Sequence, residues 1–173
     1  MIIIDLEWTC CKNNEFDQKE DGEIIEIGAV RVKDDFSEIE STFQAFVKPI
    51  KNPKLTGFAQ KLLHISQEQV DEAETFDKVW PNFLEWLGED DSFGSWGGDD
   101  LVMIKKGCEL HNLKMPFVKH CNIARVLRPR RGNMIKHNIK WHDGIRHRAI
   151  NDAITYAKIA IAVKPKVVRY RAI

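Results

Sequence analysis

An α/β fold is predicted by the alternation of β-rich and helix-periodic segments along this chain. Three observations carry the prediction. Three β-branched runs lie close together near the start, a strongly amphipathic stretch covers residues 75 to 87, and an Ala- and Ile-rich helix closes the sequence before Pro165. At 173 residues and 43% hydrophobic content the chain can build one real core, so a single domain spanning 1–173 is expected.

The elements follow in order. Ile2 to Leu6 is a short strand, and after a polar connection with Asn13, Asn14, Asp21 and Gly22 the alternating Glu23 to Lys33 segment is a second. Ser41 to Val47 makes a third, ended by Lys48-Pro49, so the first half predicts a three-strand meander. Its cover comes from Pro53 to Leu63, Ser66 to Glu72 and Thr75 to Leu87, where Phe76, Val79, Trp80, Phe83, Leu84 and Leu87 recur at helical spacing. Pro81 removes one helical hydrogen bond there, which predicts a kink or a late start at Trp80. Ser92 to Trp96 is a brief strand, Gly97-Gly98 a turn, and Asp99 to His111 a helix. Phe117 to Ala124 reads as a further strand, and an irregular basic stretch runs from Arg125 to Trp141. The last helix covers Arg148 to Val163, and the tail from Lys164 is either frayed or an added edge strand.

Charge and cysteine content narrow the classes little. The 26 basic and 26 acidic residues cancel, so no global field announces a polyanion partner. Four cysteines without CxxC spacing, two of them adjacent as Cys10-Cys11, are expected to be reduced thiols, which points to the cytoplasm. No apolar run approaches membrane-spanning length, so no membrane association is expected.

Four acids stand apart from this background. Asp5 and Glu7 are separated by one residue on a strand, so the two-residue period points both carboxylates at one face, where hard oxygen ligands suit Mg²⁺ or Mn²⁺. By itself a DxE pair more often marks a solvated strand face. Asp100, with Asp99 as its rival, opens a helix after a glycine turn; either could be a metal ligand or a helix cap. His147 and Asp152 are five apart, about 140° on a helix, so they share a site only if His147 lies in the loop before the helix.

Taken together, IIIDLEWTC, FGSWGGDDLVMI and HRAINDAITYAKIA resemble, in order, the three exonuclease motifs of the DEDDh 3'-5' exonucleases, the proofreading-exonuclease superfamily. The segment KNPKLTGFAQKLLHISQEQVDEAETFDKVWPNFLEWL resembles the branch containing the histone-mRNA 3'-end exonucleases and related small RNA-trimming enzymes. That branch usually reads Leu-Thr-Gly-Ile where this chain has Leu62-Leu63-His64-Ile65.

The resemblance implies a ribonuclease-H-like fold, a mixed five-stranded sheet flanked by helices. It implies Asp5, Glu7, Asp100 and Asp152 as ligands of two ions, Mg²⁺ or Mn²⁺, with Asp100 preferred to Asp99 because the family pattern reads Trp-Gly-x-x-Asp from Trp96. His147 becomes the general base, and the products nucleoside 5'-monophosphates released from single-stranded 3' ends, RNA favoured over DNA. Trp8, Thr9 and the second strand near Ile27 are implied to hold the terminal nucleotide. Trp8 departs from the commoner small residue, and either stacks on the terminal base or packs beneath the sheet edge. Arg125, with Arg128, Arg130, Arg131 and Lys136, is the expected track for the phosphate backbone, unless the stretch is an ordinary solvated loop. A phosphohydrolase of nucleotides or short oligonucleotides, or a non-catalytic nucleic-acid-binding module, is the alternative.

Overall fold

The computed structural model describes residues 1–13, 15–127, 144–165 and 168–173. Most of the expected basic stretch, including Arg128, Arg130, Arg131 and Lys136, lies outside the described residues.

One mixed sheet organises the chain. Its strands are β1 (Ile2–Trp8), β2 (Ile24–Val32), β3 (Ile39–Phe46), β4 (Ser92–Ser95), β5 (Lys119–Asn122) and β6 (Arg171–Ala172). They lie in the order β3-β2-β1-β4-β5-β6. The first three form the antiparallel meander, β4 and β5 continue parallel to β1, and β6 returns antiparallel on β5. The five expected strands are therefore joined by a sixth from the tail, the edge-strand alternative.

The helices are α1 (Gln18–Asp21), α2 (Gly57–Leu63), α3 (Gln67–Asp71), α4 (Phe76–Leu87), α5 (Asp99–Leu110), α6 (Ile123–Leu127) and α7 (Ala149–Val163). The first of two large apolar layers joins Ile2, Ile4, Leu6, Ile27 and Phe93 to Trp80 and Phe83 of α4 and Ile104 of α5. The other joins Ile3, Val30, Cys121 and Ile123 to Ala153, Ala157 and Ala160 of α7. The alanines of α7 let that helix lie close to the sheet, which is how its composition serves the site below.

Two expectations are corrected. Helix α4 starts at Phe76 with Thr75 at its N-cap, not at Trp80. Pro81 is solvent-exposed, so the Asp77 carbonyl left without its helical donor lies on the wet side of the helix, where the cost is lowest. The predicted strand Phe117 to Ala124 is strand only from Lys119 to Asn122; Ile123 begins α6, and Phe117 packs on Phe93 in the core. A short apolar run does not by itself distinguish strand from helix.

His64, where the resembled branch carries glycine, sits at the C-cap of α2 in the left-handed region, at φ 54°. The geometry that glycine serves is kept here by a residue for which it is uncommon.

Candidate active site

The sheet's strand order reverses direction between β1 and β4, the place where open α/β sheets leave a crevice at their carboxyl ends. Asp5 and Glu7 stand at the carboxyl end of β1, on the same face as Ile3 and therefore facing α7. Asp100 arrives from the opposite layer, in the first turn of α5, and its Oδ1 accepts the Leu6 N–H at 3.0 Å. Asp152 projects from the first turn of α7. Glu7, Asp100 and Asp152 are 9, 5 and 6% exposed, whereas Asp99 is exposed. Burial thus separates the two neighbouring aspartates that the residues alone left open.

His147 lies in the loop before α7, as its spacing from Asp152 required. Its backbone is in the left-handed region, at φ 57°, and its N–H reaches Asp152 Oδ2 at 3.3 Å. One ligand atom each from Glu7, His147 and Asp152 lie within 4.8 Å of one another. That is a group able to hold a metal ion, with Asp5 one strand position pair away on the same face.

The electrostatics call for cations. Burial, then the charges of Asp100, Glu7, Asp152 and Glu26, holds the Asp5 carboxyl well above the usual carboxylate range. Burial, then Asp152, Glu26 and Asp100, pushes Glu7 up to about 8, against the opposing pull of Arg148. Burial raises Asp100 to about 7, although hydrogen bonds from Ser95 and from the Leu6 N–H favour its charged form. Carboxylates crowded this way are costly unless counter-charges join them, and carboxylate oxygens with one imidazole fit a hard divalent cation.

Removing the cations therefore has a predictable pH signature. Unfolded carboxyls titrate near 4 to 4.5, so between there and about 8 the folded protein binds more protons than the unfolded chain. The stability of the metal-free protein must fall as pH rises through that window. His120, lowered by burial, acts in the opposite sense only below about 6.5, so the comparison is made between pH 6.5 and 8. The melting temperature in chelator is expected to drop over that interval, and added Mg²⁺ or Mn²⁺ to raise it more at pH 8 than at pH 6.5. A metal-free melting temperature that climbs between these pH values would contradict the crowding.

Residues that the sequence reading passed over hold this arrangement. Glu26, directly opposite Glu7 on β2, is fully buried. It accepts two hydrogen bonds from the Arg148 guanidinium at 3.1 Å each, the Ala149 N–H at 3.0 Å and the Gln44 amide at 2.7 Å. A bidentate ion pair to a fully buried carboxylate thus fixes the residue between His147 and the start of α7. Gly28, opposite Asp5, lets α7 rest on the strand: a Cβ there would stand 2.2 Å from the Ala149 carbonyl carbon. A glutamate flanked by isoleucines and a glycine inside a strand were the available signals.

The remaining expected residues fall differently. Trp8 is partly buried, packs against the α4 and α5 layer, and also lines a cleft of about 850 Å³ with Phe76, Met103 and Leu110. Packing and access to a ligand are therefore compatible for it. Thr9 is buried, its hydroxyl accepting the Glu23 N–H at 3.0 Å. The side chain of Ile27 is wholly inside the core, so any contact there with a nucleotide falls to the neighbouring backbone of β2. Arg125 is exposed on α6, away from this cleft.

With this geometry in view, the comparisons with known proteins agree on one family. The family model described as Exonuclease (RNase_T) matches residues 2–160, and the chain belongs to that family. Among its relatives, the probable 3'-5' exonuclease KapD of Bacillus subtilis is 35% identical over 68% of this chain and 57% of that protein. Human 3'-5' exoribonuclease 1 is 33% identical over 93% of this chain and 51% of its own length. The chain thus spans about half the length of these curated relatives. Among solved structures, the nuclease domain of 3'hExo, described as a DEDDh family member bound to rAMP, has a TM-score of 0.77 at 31% identity. That match covers 92% of this chain and 88% of that one. A structure described as 3'-end specific recognition of histone mRNA stem-loop by 3'-exonuclease has a TM-score of 0.81 at 27% identity, over 99% and 69% of the two chains. The DEDDh resemblance and its ribonuclease-H-like architecture hold. Among the described residues no helix is long and apolar enough to cross a membrane.

Proposed function

We propose that this chain is one catalytic domain, a metal-dependent 3'-5' exonuclease that removes nucleoside 5'-monophosphates from single-stranded 3' ends, RNA in preference to DNA. The observation that carries the reading is the convergence of Glu7, His147 and Asp152 within 4.8 Å, with Asp5 and the buried Asp100 alongside. Relatives named 3'-5' exoribonuclease favour RNA as substrate.

In this reading Asp5, Glu7, Asp100 and Asp152 hold two divalent ions, Mg²⁺ or Mn²⁺. Such ions supply charge neutralisation and a more acidic water when bound. The chain's own residues do the rest. A ring nitrogen of His147, within 4.8 Å of carboxylate oxygens of Glu7 and Asp152, takes the proton of the attacking water. Glu26 and Arg148 keep that loop and helix in register with β1. Trp8 forms a wall for the terminal base at the cleft it lines, and Arg125 draws in the phosphate backbone. Four buried cysteines that form no disulfide suit a reducing setting, and we place the protein in the cytoplasm.

The test is incubation with 5'-labelled single-stranded RNA and DNA in Mg²⁺, Mn²⁺ or chelator. A ladder of products shortened stepwise from the 3' end, faster on RNA, metal-dependent and accompanied by 5'-monophosphates, is expected. No trimming in any condition would sink the proposal, and release of internal fragments would turn it into an endonuclease.

A further inference from the structure

A second cavity, of about 570 Å³, opens at the carboxyl ends of β4 and β5. It lies along the same sheet edge as the acids, toward β6, at about 12 Å from β1 by strand spacing. Arg125 of α6 and Arg169 and Arg171 of the tail line it, and among the described residues no carboxylate does. Guanidinium groups converging without an acid between them are suited to phosphate, which they bind through paired N–H donors.

The cavity has a polar floor as well as a basic rim. Asn122 lines it, and its buried side-chain oxygen has no hydrogen-bond partner among the described residues. Turned by half a rotation, the same amide offers N–H donors instead. His120 also lines it, with Nε2 2.9 Å from Ser95 Oγ, and Ser95 in turn bonds Asp100. Since the Asp100 carboxylate can only accept, the Ser95 hydroxyl donates to it and accepts from His120 Nε2–H. A continuous hydrogen-bonded chain thus runs from the cavity floor to an acid of the active site. Gly97 and Gly98 also line it, and a Cβ built at either meets nothing within 4 Å among the described residues.

We propose that this cavity binds an internal phosphodiester of the same single strand whose 3' end occupies the acid cluster, about two to four nucleotides upstream of the bond cut. The proposal rests on the exonuclease reading above and adds to it a second, length-sensing contact. It makes the tail after α7, which brings Arg169 and Arg171, part of the substrate path. The alternative source of the same chemistry is free phosphate or a mononucleotide.

The test compares the wild type with an R169A/R171A double variant on 5'-labelled single-stranded RNAs of two to eight nucleotides at several salt concentrations. Both arginines are exposed, and matching thermal melts check that the fold is kept. On octanucleotides kcat/KM is expected to fall at least about tenfold, mainly through KM, with a salt dependence shallower by about one unit of slope. On dinucleotides, too short to reach the cavity, the loss should stay below about twofold. A loss of equal size at every length, or none at any length, would overturn the proposal. So would inorganic phosphate or a 5'-mononucleotide that binds wild type but not the variant while RNA kinetics are unchanged, which would make the cavity a small-anion site. If wild type itself trims no RNA, the exonuclease reading fails instead, and the two failures are told apart.

Discussion

Asp5→Asn is expected to abolish metal-dependent trimming and at the same time to raise the melting temperature of the metal-free protein. The two effects have one cause. Asp5 sits among Asp100, Glu7, Asp152 and Glu26, and each of those charges disfavours its ionised form. The guanidinium of Arg148, which eases Glu7, is already bonded to Glu26. Removing one carboxylate relieves repulsion that Arg148 and the hydrogen bonds to Asp100 offset only in part, so the metal-free variant should melt a few degrees higher. The same change takes a ligand from the cations and should lower kcat/KM by on the order of 10³-fold or more. It should also shrink the rise in melting temperature that Mg²⁺ or Mn²⁺ produces in the wild type. Melting curves with and without chelator, beside the trimming assay, check all three. A variant that melts lower without metal would refute the picture of an acid cluster held together at a cost, and one that keeps trimming would remove Asp5 from the site.

Local pattern revealed much of this arrangement, because its chemistry is concentrated in three short segments. The spacing of Asp5 and Glu7 fixes their common face on any strand, and the five-residue gap from His147 to Asp152 places the histidine ahead of the helix. Those relations need only backbone geometry. What stayed hidden depends on contacts distant in sequence. Glu26 and Arg148 are 122 residues apart, and nothing local to either predicts that they form a bidentate pair. The choice of Asp100 over Asp99 becomes physical only when the Leu6 N–H, 94 residues away, is seen to bond it. Ile27 came from the resemblance alone; which face of β2 looks at α4 and α5, and so encloses its side chain, is set by packing and not by alternation. The tail was ambiguous because a strand of two residues has no period; its pairing with Lys119 and His120 decides it.

Gly28→Ala is expected to damage the site without altering any residue that touches a substrate. Gly28 faces the first turn of α7, and an added Cβ would stand 2.2 Å from both the Ala149 carbonyl carbon and the Ile150 nitrogen. These are backbone atoms, which cannot swing aside as the end of a side chain does. The helix start must retreat by about 1 Å or more, carrying Asp152 and the His147 loop away from Asp5 and Glu7 on β1. It must also stretch the bonds by which Glu26 holds Arg148 and the Ala149 N–H. Misplacement of that size should cost about 10²-fold in kcat. Overpacking between strand and helix should cost about 1–3 kcal/mol of stability. Gly57→Ala serves as the comparison, since a Cβ at Gly57, the first residue of α2, meets nothing within 4 Å. That change should leave activity alone and stabilise slightly, by about 0.4–1 kcal/mol. The apparent affinity for Mg²⁺ separates a displaced helix from general loosening. If α7 has moved relative to β1, the metal concentration for half-maximal activity rises in Gly28→Ala even at temperatures far below its melting point. Wild-type activity and melting in Gly28→Ala would show that the close seat of α7 on β2 does not set the geometry of the acids.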